Sequence, residues 1–467
     1  YGRMKFVDRL DEWARLDELG APGLAVLWGR RRVGKTRLLV EWCRRGGGLY
    51  TVADGSAETV QRRYLAEAVA SRIPGFADVE YPDWRVWLRA LAREAARGAL
   101  RGPLVIDEVP YLVESSPPLA SVLQAFVDHE ARDAGLALVL AGSSRHTMHG
   151  LALASDAPLF GRARVSFEVL PLAPGWLHDA LGLARPQDAV AAWAAWGGIP
   201  WYWELAQPFG PDTDTAVERL VLDPAGPLHH EPDRLLAGEQ PGGAALRPLL
   251  DAIGSGAHRV SEIAARIGQS ATSLGRPLGR LVGLGMGRRD LPFGESERTS
   301  RRSLYRIADP FLRLWFRVVA PRRGLLVASP PALRAEVWRR ARGGLLSEAW
   351  EELCRRAVPL LDDRVGVACG AAARWWRGAA PEWDVVAPSL DGSALLLGEC
   401  KWSADPPDES NLRRWYAELA AKGLPDAPGA AGRRPVHVLF VSEPPPRPRR
   451  PRPFAVLGAR DVLAVLR

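Results

Sequence analysis

The sequence predicts an α/β protein of several domains, and three observations lead to that fold class. The chain has 467 residues, which is more than one ordinary hydrophobic core accommodates. Residues 1–170 alternate short apolar runs with helical patterns, as a parallel sheet covered by helices does. Within that stretch a glycine-rich loop follows an apolar run and opens a helical pattern, which is typical of a phosphate-binding α/β domain.

The strands predicted for this first domain are its short apolar runs. They cover residues 23–28, 48–53, 104–106, 136–141 and 165–170. Because these runs are continuously apolar rather than alternating, they indicate strands that are buried on both faces.

Composition narrows the class of protein further. Hydrophobic residues make up 47% of the chain and charged residues 25%, which is ordinary for a globular protein. There is no run of eighteen apolar residues and no apolar signal core at the start, so we expect a cytoplasmic protein that does not enter a membrane. The cysteines lack the spacing of a zinc site or a disulfide framework; they are Cys43, Cys354, Cys369 and Cys400.

The chain is basic, with a formal net charge of +8. The positive charge is almost all arginine, since lysine occurs only as Lys5, Lys35, Lys401 and Lys422. A basic balance is compatible with nucleic acid as a partner, but it does not identify one by itself.

The glycine-rich loop matches the pattern GxxxxGK[ST] in full, from Gly29 through Gly34 and Lys35 to Thr36. Glycines let backbone N–H groups turn inward around phosphates, and the N-terminus of the following helix adds partial positive charge. Lys35 is expected to bridge the β- and γ-phosphates, and Thr36 to ligate Mg²⁺. The loop therefore predicts a P-loop site for ATP and Mg²⁺.

A second motif completes this site. The apolar run 104–106 ends in two carboxylates, Asp107 and Glu108. Asp107 is expected to hold Mg²⁺ through water, and Glu108 to act as the general base that polarises the attacking water.

A polar residue follows a third predicted strand. Ser143 comes after the run 136–141, where its side chain could contact the γ-phosphate or the attacking water. Two interpretations stay open, because a serine at this point is also ordinary turn chemistry.

Several motifs together resemble a known family. Residues 6–9 (FVDR), 29–36, 104–108, 142–144, 158–162, 197–200 (GGIP) and 398–401 carry the resemblance. They are similar to the prokaryotic AAA+-type ATPases of the archaeal-ATPase family, which have a DUF234-type C-terminal domain. The resemblance implies that residues 6–9 flank the adenine and that Ser143 is the sensor at the phosphate. The nucleotide-binding residues are then Phe6, Arg9, Gly29, Arg30, Arg31, Arg32, Val33, Gly34, Lys35, Thr36 and Arg37.

Arg162 follows the sensor strand, where AAA+-like proteins often present an arginine to the γ-phosphate of a neighbouring subunit. Such an arginine stabilises charge on the transferring phosphoryl group. An ordinary surface or salt-bridged arginine is the competing interpretation, and Arg164 competes for the same role.

The C-terminal region contains a second set of catalytic residue types. Asp384 opens a predicted strand, and a second strand fifteen residues later ends in Glu399 and Lys401. Residues i and i+2 share one face of a strand, so Glu399 and Lys401 are expected to point the same way with Asp384 beside them. Asp384 and Glu399 could hold Mg²⁺, while Lys401 positions or deprotonates a water.

This arrangement is similar to the PD-(D/E)xK nuclease core, which DUF234-type domains also resemble. By that resemblance Glu351, on an upstream helix, is the supporting acid. A domain of this shape can also be catalytically silent and serve to bind or dimerise, because fold similarity does not establish chemistry.

Residues 245–319 have the layout of a winged helix. Three short amphipathic patterns, at 249–253, 260–267 and 271–284, precede a loop and a strand at 303–307. If this module binds DNA, residues 270–280 would enter the major groove and the wing arginines would meet phosphates. Those arginines are Arg288, Arg289, Arg301 and Arg302. The other interpretation is a spacer that packs against the ATPase and relays its state.

The predicted plan is a P-loop AAA+-like core (1–170), a helical lid (171–240), a winged-helix domain (241–325) and a C-terminal α/β restriction-endonuclease-like domain (326–467). We predict a DNA-associated ATPase whose nucleotide state controls the winged helix and a metal-dependent nuclease-like domain. The alternatives are a signalling or scaffold switch with a silent C-terminal domain, and a transcription regulator. The sequence leaves homo-oligomer and partner-protein assembly open.

Overall fold

The computed structural model describes residues 4–238, 242–298, 300, 302–446 and 452–467, with the backbone alone for Asp363. These residues form two compact units. The first unit comprises Arg9–Pro171 and Ile199–Trp201, and the second comprises residues 4–8, Leu172–Gly198 and the described part of Tyr202–Arg467. Each unit is described separately below.

The first unit contains a five-stranded parallel sheet in the order β2-β3-β4-β1-β5. Its strands are β1 Gly23–Trp28, β2 Leu49–Val52, β3 Leu104–Asp107, β4 Ala137–Gly142 and β5 Val165–Glu168. All five lie at predicted runs, and the described ends differ from the predicted ends by no more than two residues. Its helices are α1 Leu10–Asp17, α2 Lys35–Gly46, α3 Glu58–Ala70, α4 Trp84–Ala96, α5 Val109–Ser115, α6 Leu119–Asp128, α7 Glu130–Asp133 and α8 Arg145–Met148.

The hydrophobic core of the first unit explains why these runs became strands. Every residue of β4 is buried, as is every residue of β3. Aromatic residues of α4 pack onto the sheet, with Trp87 fully buried and in edge contact with Phe76. Because parallel strands expose their carboxyl ends at one edge, the polar residues that follow β1, β3 and β4 lie at that edge.

The second unit begins with helices. They are α9 Leu177–Leu181, α10 Pro186–Trp196, α11 Pro200–Ala206 (whose first two residues belong to the first unit), α12 Thr213–Val217, α13 Glu231–Ala237, α14 Arg247–Gly254, α15 Val260–Ile267 and α16 Gly275–Gly283. The hairpin β6 Gly287–Asp290 and β7 Leu304–Ile307 follows. The remaining elements are α17 Pro310–Leu314, α18 Arg323–Ala328, α19 Pro331–Ala357, α20 Asp362–Val365, β8 Ala373–Trp375, β9 Trp383–Pro388, β10 Ala394–Lys401, α21 Glu409–Ala421, β11 Arg434–Val441, β12 Ala455–Leu457 and α22 Ala459–Val465.

Helices α14 to α16 and the β6–β7 hairpin have the order of a winged helix. A 3₁₀ turn, Ala271–Leu274, separates α15 from α16, so the predicted pattern 271–284 is split into two pieces. Leu278 and Leu281 bury the inner face of α16, and Arg276 lies on its exposed side.

Strands β8 to β12 form a mixed sheet in the order β12-β11-β10-β9-β8. Strand β9 runs antiparallel to β10, and β10 runs parallel to β11. The register pairs Val385 with Gly398, which places the next residue outward, Asp384, opposite Glu399. The sheet therefore brings together the two acidic positions that the sequence predicted to be neighbours.

Helix α19 corrects one prediction. The sequence predicts a linker after Pro321 and a helix only over 345–356, because Pro330, Pro331 and the pair at 343–344 are helix-breaking types. The structure has a helix over Pro331–Ala357. Its first half is stabilised by side-chain contacts: Trp338 Nε1 donates to Asp214 Oδ1 (2.6 Å) and Arg334 Nε to Glu218 Oε1 (2.9 Å).

Two further expectations concern extended or membrane segments. The alternating proline and arginine residues at 444–453 are typical of an exposed polyproline-type loop, and this segment lies in part outside the described residues, since 447–451 are not described. Among the residues that are described, no helix has the length and apolar character needed to cross a bilayer.

Candidate functional site

The loop between β1 and α2 turns sharply, and two of its glycines are required there. A Cβ atom on Gly29 would lie 2.5 Å from the carbonyl oxygen of Val169, so no side chain fits. Gly34 has φ of 96° at the N-cap of α2, a conformation that favours glycine. Arg32 takes a left-handed φ of 69° between them. The loop thus turns its backbone toward the start of α2.

Lys35 lies over this loop as the motif predicts. Its Nζ donates to the carbonyl of Gly29 at 2.8 Å and to that of Arg30 at 3.3 Å. The side chain is 4% exposed, which keeps the ammonium group at the loop rather than in solvent.

Asp107 joins the loop helix to the end of β3. Thr36 Oγ1 donates to Asp107 Oδ2 at 2.8 Å, and Tyr50 donates its hydroxyl to the same oxygen at 2.8 Å. The backbone N–H of Glu108 donates to Asp107 Oδ1 at 2.9 Å. Asp107 is fully buried, so its carboxylate depends on these donors. The contact with Tyr50 is one that the sequence motifs do not contain.

Glu108 is held by the end of the neighbouring strand. Ser143 donates to Glu108 Oε2 from its hydroxyl at 2.8 Å and from its backbone N–H at 3.2 Å. Glu108 also has a left-handed φ of 54°, which is uncommon outside glycine and is often found at functional positions. The structure therefore brings together the predicted base and the predicted sensor.

Other predicted binding residues surround the loop. Arg9 is buried and donates to the carbonyl of Val33 at 2.7 Å, while Arg31 donates to the hydroxyl of Tyr111 at 3.1 Å. The guanidinium of Arg32 lies 3.7 Å from the centre of the Trp201 ring. Arg37 is half-buried in the first turn of α2. Tyr111 and Trp201 were missed at the sequence level, although Trp201 directly follows the quoted GGIP motif.

Phe6 belongs to the second unit, with residues 4–8. Its predicted place beside the adenine stays a prediction, as does the role of Arg162 toward a neighbouring subunit. In the described structure Arg162 makes a two-pronged ion pair with Asp128 on α6, at 2.7 and 2.9 Å. This pair holds the pKa of the Asp128 carboxyl below its usual value. A role in trans would require Arg162 to leave it.

The predicted C-terminal residues also meet. Asp384 Oδ2 accepts the backbone N–H of Cys400 at 2.9 Å, and Lys401 Nζ donates to Glu399 Oε1 at 2.9 Å. Lys422, at the end of α21, donates to the other oxygen, Glu399 Oε2, at 2.7 Å. The sequence motif missed Lys422 because it lies twenty-one positions after Lys401.

The environments push the two carboxyl pKa values apart. Burial, together with the negative charges of Glu351 and Glu399, raises the pKa of Asp384 to about 6. Burial would also raise the pKa of Glu399, but hydrogen bonds from Lys401 and Lys422 outweigh it and leave that pKa below its usual value. Glu351 thus lies near Asp384, as the resemblance implies, and it pairs with Arg355 at 3.5 Å.

The two candidate Mg²⁺ positions differ in how well they fit the ion. Thr36 and Asp107 offer a hydroxyl and a carboxylate, and Mg²⁺ usually takes only one or two carboxylates together with substrate phosphates. At the C-terminal position both oxygens of Glu399 accept from lysines. No group of three or more His, Cys, Asp or Glu side chains suited to a metal occurs in the part of the chain that the structure describes. In this arrangement lysines therefore occupy both oxygens of Glu399, and the predicted metal site of Asp384 and Glu399 stays a prediction.

The described wing arginines make contacts within the second unit, and their predicted contact with phosphates stays a prediction. Arg288 pairs with Glu352 on α19 and with Asp290. Arg289 donates to the carbonyl of Glu297 at 3.0 Å, and Arg302 pairs with Glu295. Arg301 lies outside the described residues.

Comparisons with known proteins agree with the resemblance stated from the motifs. Residues 315–413 match the DUF234 family model, described as archaeal and bacterial proteins of unknown function. This match contains Glu351, Asp384, Glu399 and Lys401. The first unit has the parallel α/β architecture of Walker-type ATPases, so the chain combines a P-loop ATPase fold with a DUF234 match.

Two proteins share the likeness over most of their own length. An uncharacterized protein of Methanocaldococcus jannaschii is 26% identical over 425 residues, which cover 89% of this chain and 91% of that protein. The Walker-type ATPase PABY2304 of Pyrococcus abyssi has a similar structure, with a TM-score of 0.52 and 20% identity over 67% of this chain and 96% of that one. At this identity the second likeness concerns the fold alone.

Proposed function

We propose that the chain binds and hydrolyses ATP with Mg²⁺ at the loop of residues 29–36. The observation that carries this proposal is the hydrogen bond from Thr36 Oγ1 to Asp107 Oδ2, beside Lys35. It brings a hydroxyl, a carboxylate and an ammonium group to the carboxyl edge of the sheet, where nucleotides bind in such folds.

Each residue then has a separate task. The backbone N–H groups of the loop and Lys35 bind the phosphates, while Thr36 and Asp107 hold the Mg²⁺. The ion would neutralise charge on the phosphate oxygens. Glu108 accepts a proton from the attacking water, and Ser143 keeps the Glu108 carboxylate in place for that purpose.

ATP turnover of the wild type and of Lys35→Ala tests this proposal, with Lys5→Ala as a matched control because Lys5 is exposed. We expect Lys35→Ala to lose turnover and most ATP affinity, while Lys5→Ala keeps both. Full turnover in Lys35→Ala would remove the loop as the site.

Association with DNA through the winged-helix elements is the finer part of the proposal. It is supported by the basic net charge and by Arg276 on the exposed side of α16. Among the proposed contacts, Arg276 on α16 is the one that the following variant tests. Arg276→Ala should weaken binding to a labelled DNA duplex, whereas Arg340→Ala on the exposed face of α19 should not. Equal affinities would favour the spacer interpretation, and a preferred sequence in footprinting would favour a transcription regulator.

The C-terminal domain has two candidate roles under this proposal: nucleotide-controlled DNA cleavage, or a silent domain in an ATP-dependent switch. The lysine contacts to both oxygens of Glu399 favour the silent domain. Plasmid DNA with Mn²⁺ and ATP, incubated with wild type, Asp384→Ala and Lys401→Ala, separates the two. Cleavage lost in both variants would establish the nuclease, and no cleavage with intact ATP turnover would establish the switch.

The proposal also includes the location, the assembly and the domain division that the sequence predicts. They are a cytoplasmic location, assembly as a homo-oligomer or with a partner protein, and the division into domains 1–170, 171–240, 241–325 and 326–467.

A further inference from the structure

Tyr50 contacts the proposed magnesium-binding carboxylate from a strand that carries no nucleotide motif. It lies on β2, at the edge of the parallel sheet, and is half-buried. Its hydroxyl is 2.8 Å from Asp107 Oδ2, the oxygen that also accepts the hydrogen bond from Thr36. Because an ionised carboxylate only accepts, Tyr50 is the donor.

Strand register explains how Tyr50 reaches this oxygen. Tyr50 pairs with Val105 on β3, and Asp107 lies two residues farther along the same strand. Residues separated in this diagonal way share a face and lie close enough for a long aromatic side chain to bridge them. A shorter hydroxyl side chain at position 50 would not span that diagonal.

We propose that Tyr50 is a positioning residue for the proposed Mg²⁺ site: it fixes the Asp107 carboxylate, which in turn orients the Thr36 hydroxyl. This inference rests on the proposed function of the loop. Thr36 donates its only proton to Asp107, so the lone pairs of its oxygen are directed away from that carboxylate. The position of the Thr36 hydroxyl thus depends on Asp107, and the position of the Asp107 carboxylate depends on Tyr50.

Removal of the Tyr50 hydroxyl should weaken metal binding more than nucleotide binding. Asp107 Oδ2 would keep only the Thr36 donor, and the carboxylate could rotate away from its present position. Groups that orient metal ligands through one hydrogen bond typically contribute a factor of 10–100 to metal affinity. The proposed ADP contacts, through Lys35 and the loop backbone, do not include Tyr50.

The test uses the full chain with Tyr50→Phe and Tyr81→Phe as the matched pair. Tyr81 lies in the same unit and loses an equivalent buried hydrogen bond, from its hydroxyl to the carbonyl of Phe76 at 2.8 Å. Two quantities are measured for each: the Kd of Mn²⁺ in the presence of ADP, by electron paramagnetic resonance, and the Kd of ADP in EDTA, by calorimetry.

We expect Tyr50→Phe to raise the Mn²⁺ Kd about tenfold and to leave the ADP Kd in EDTA within about twofold of wild type. Tyr81→Phe should change neither. An unchanged Mn²⁺ Kd in Tyr50→Phe would overturn the role of Tyr50. An equally large loss of ADP binding in EDTA would overturn it too, because Tyr50 would then stabilise the phosphate-binding loop rather than the metal site.

The wild-type measurements separate this inference from the function on which it rests. Wild type that binds ADP and Mn²⁺ but does not turn over ATP would overturn hydrolysis alone. Wild type that binds no ADP would overturn both the proposed site and the role of Tyr50.

Discussion

Ser143 donates two hydrogen bonds, one from its side chain and one from its backbone, to the same carboxylate oxygen of Glu108. The two residues follow β3 and β4, which are neighbours in the sheet. Glu108 is therefore fixed by the strand beside its own, at the edge where Lys35 and Asp107 also lie. This contact turns two separate sequence motifs into one site.

The first prediction concerns Ser143→Ala. Turnover of ATP should fall about 10-fold, because Glu108 loses a hydrogen bond to a charged group while the backbone donor remains. Affinity for ATP should stay unchanged. Steady-state kinetics check this, with Ser144→Ala as control, since Ser144 bonds Thr147 at the start of α8 instead. Equal kinetics of the two variants would count against a role for Ser143.

A second prediction concerns the pH dependence of stability at Asp384. Its pKa is raised to about 6 in the folded chain, whereas an unfolded aspartate titrates near 3.9. The contribution of neutral Asp384 to the free energy of unfolding is therefore complete below about pH 4 and is lost as pH rises through about 6. Asp384→Asn keeps an acceptor for the Cys400 N–H but carries no charge.

Thermal unfolding at pH 5 and pH 8 measures this effect. Asp384→Asn should raise the melting temperature more at pH 8 than at pH 5. A gain in melting temperature of the same size at both pH values would show that the pKa of the Asp384 carboxyl is not raised in the folded chain.

The third prediction concerns the arginine cluster around Glu348. Arg306 and Arg317 donate to Glu348 at 3.2 and 2.8 Å, and Arg313 lies 3.6 Å away. Arg313 is 3% exposed, and burial lowers its pKa to about 10. Removing the Glu348 carboxylate would leave the buried Arg313 with Glu352, 2.6 Å away, as its remaining counter-ion and would deprive Arg306 and Arg317 of theirs. Glu348→Gln should therefore reduce the free energy of unfolding by about 3 kcal/mol, the low end for a broken buried pair.

Urea unfolding compares this variant with Glu336→Gln on the same helix. Glu336 pairs with two exposed arginines, Arg339 and Arg340, so its loss should lower the free energy of unfolding far less than the loss of Glu348 does. Similar losses in the two variants would mean that the cluster around Glu348 behaves as a surface network.

Local patterns predicted the elements that carry the candidate nucleotide site. The P-loop and the Asp107–Glu108 pair depend on short segments with their own strand, turn and helix signals. Tyr50 could not be found in this way, because its contact depends on β2 lying beside β3, and strand order is not written in any single segment.

The C-terminal region shows the same division between local and long-range information. Strand alternation placed Glu399 and Lys401 on one face, and the hydrogen bond between them confirms it. Lys422 reaches Glu399 only because α21 packs against the sheet. Its rarity was the available signal, since the chain has only four lysines.

The first half of α19 was mispredicted for a tertiary reason. Proline and glycine lower its intrinsic helix preference, but Trp338 and Arg334 bond acidic residues on neighbouring helices and stabilise the helical form. The ion pair of Arg288 was likewise not predicted, because its partner, Glu352, is distant in sequence.

Identification of the bound nucleotide tests whether the loop of residues 29–36 binds ATP and whether Glu108 takes part in its hydrolysis. Wild type and Glu108→Gln are incubated with Mg²⁺ and ATP, separated from free nucleotide and denatured, and the released nucleotide is analysed by chromatography. We expect the wild type to release ADP and Glu108→Gln to release unhydrolysed ATP. The variant keeps Lys35, Thr36 and Asp107, which bind the nucleotide and Mg²⁺, but it lacks the base. Release of no nucleotide from either protein, or of ADP in equal amounts from both, would contradict this expectation.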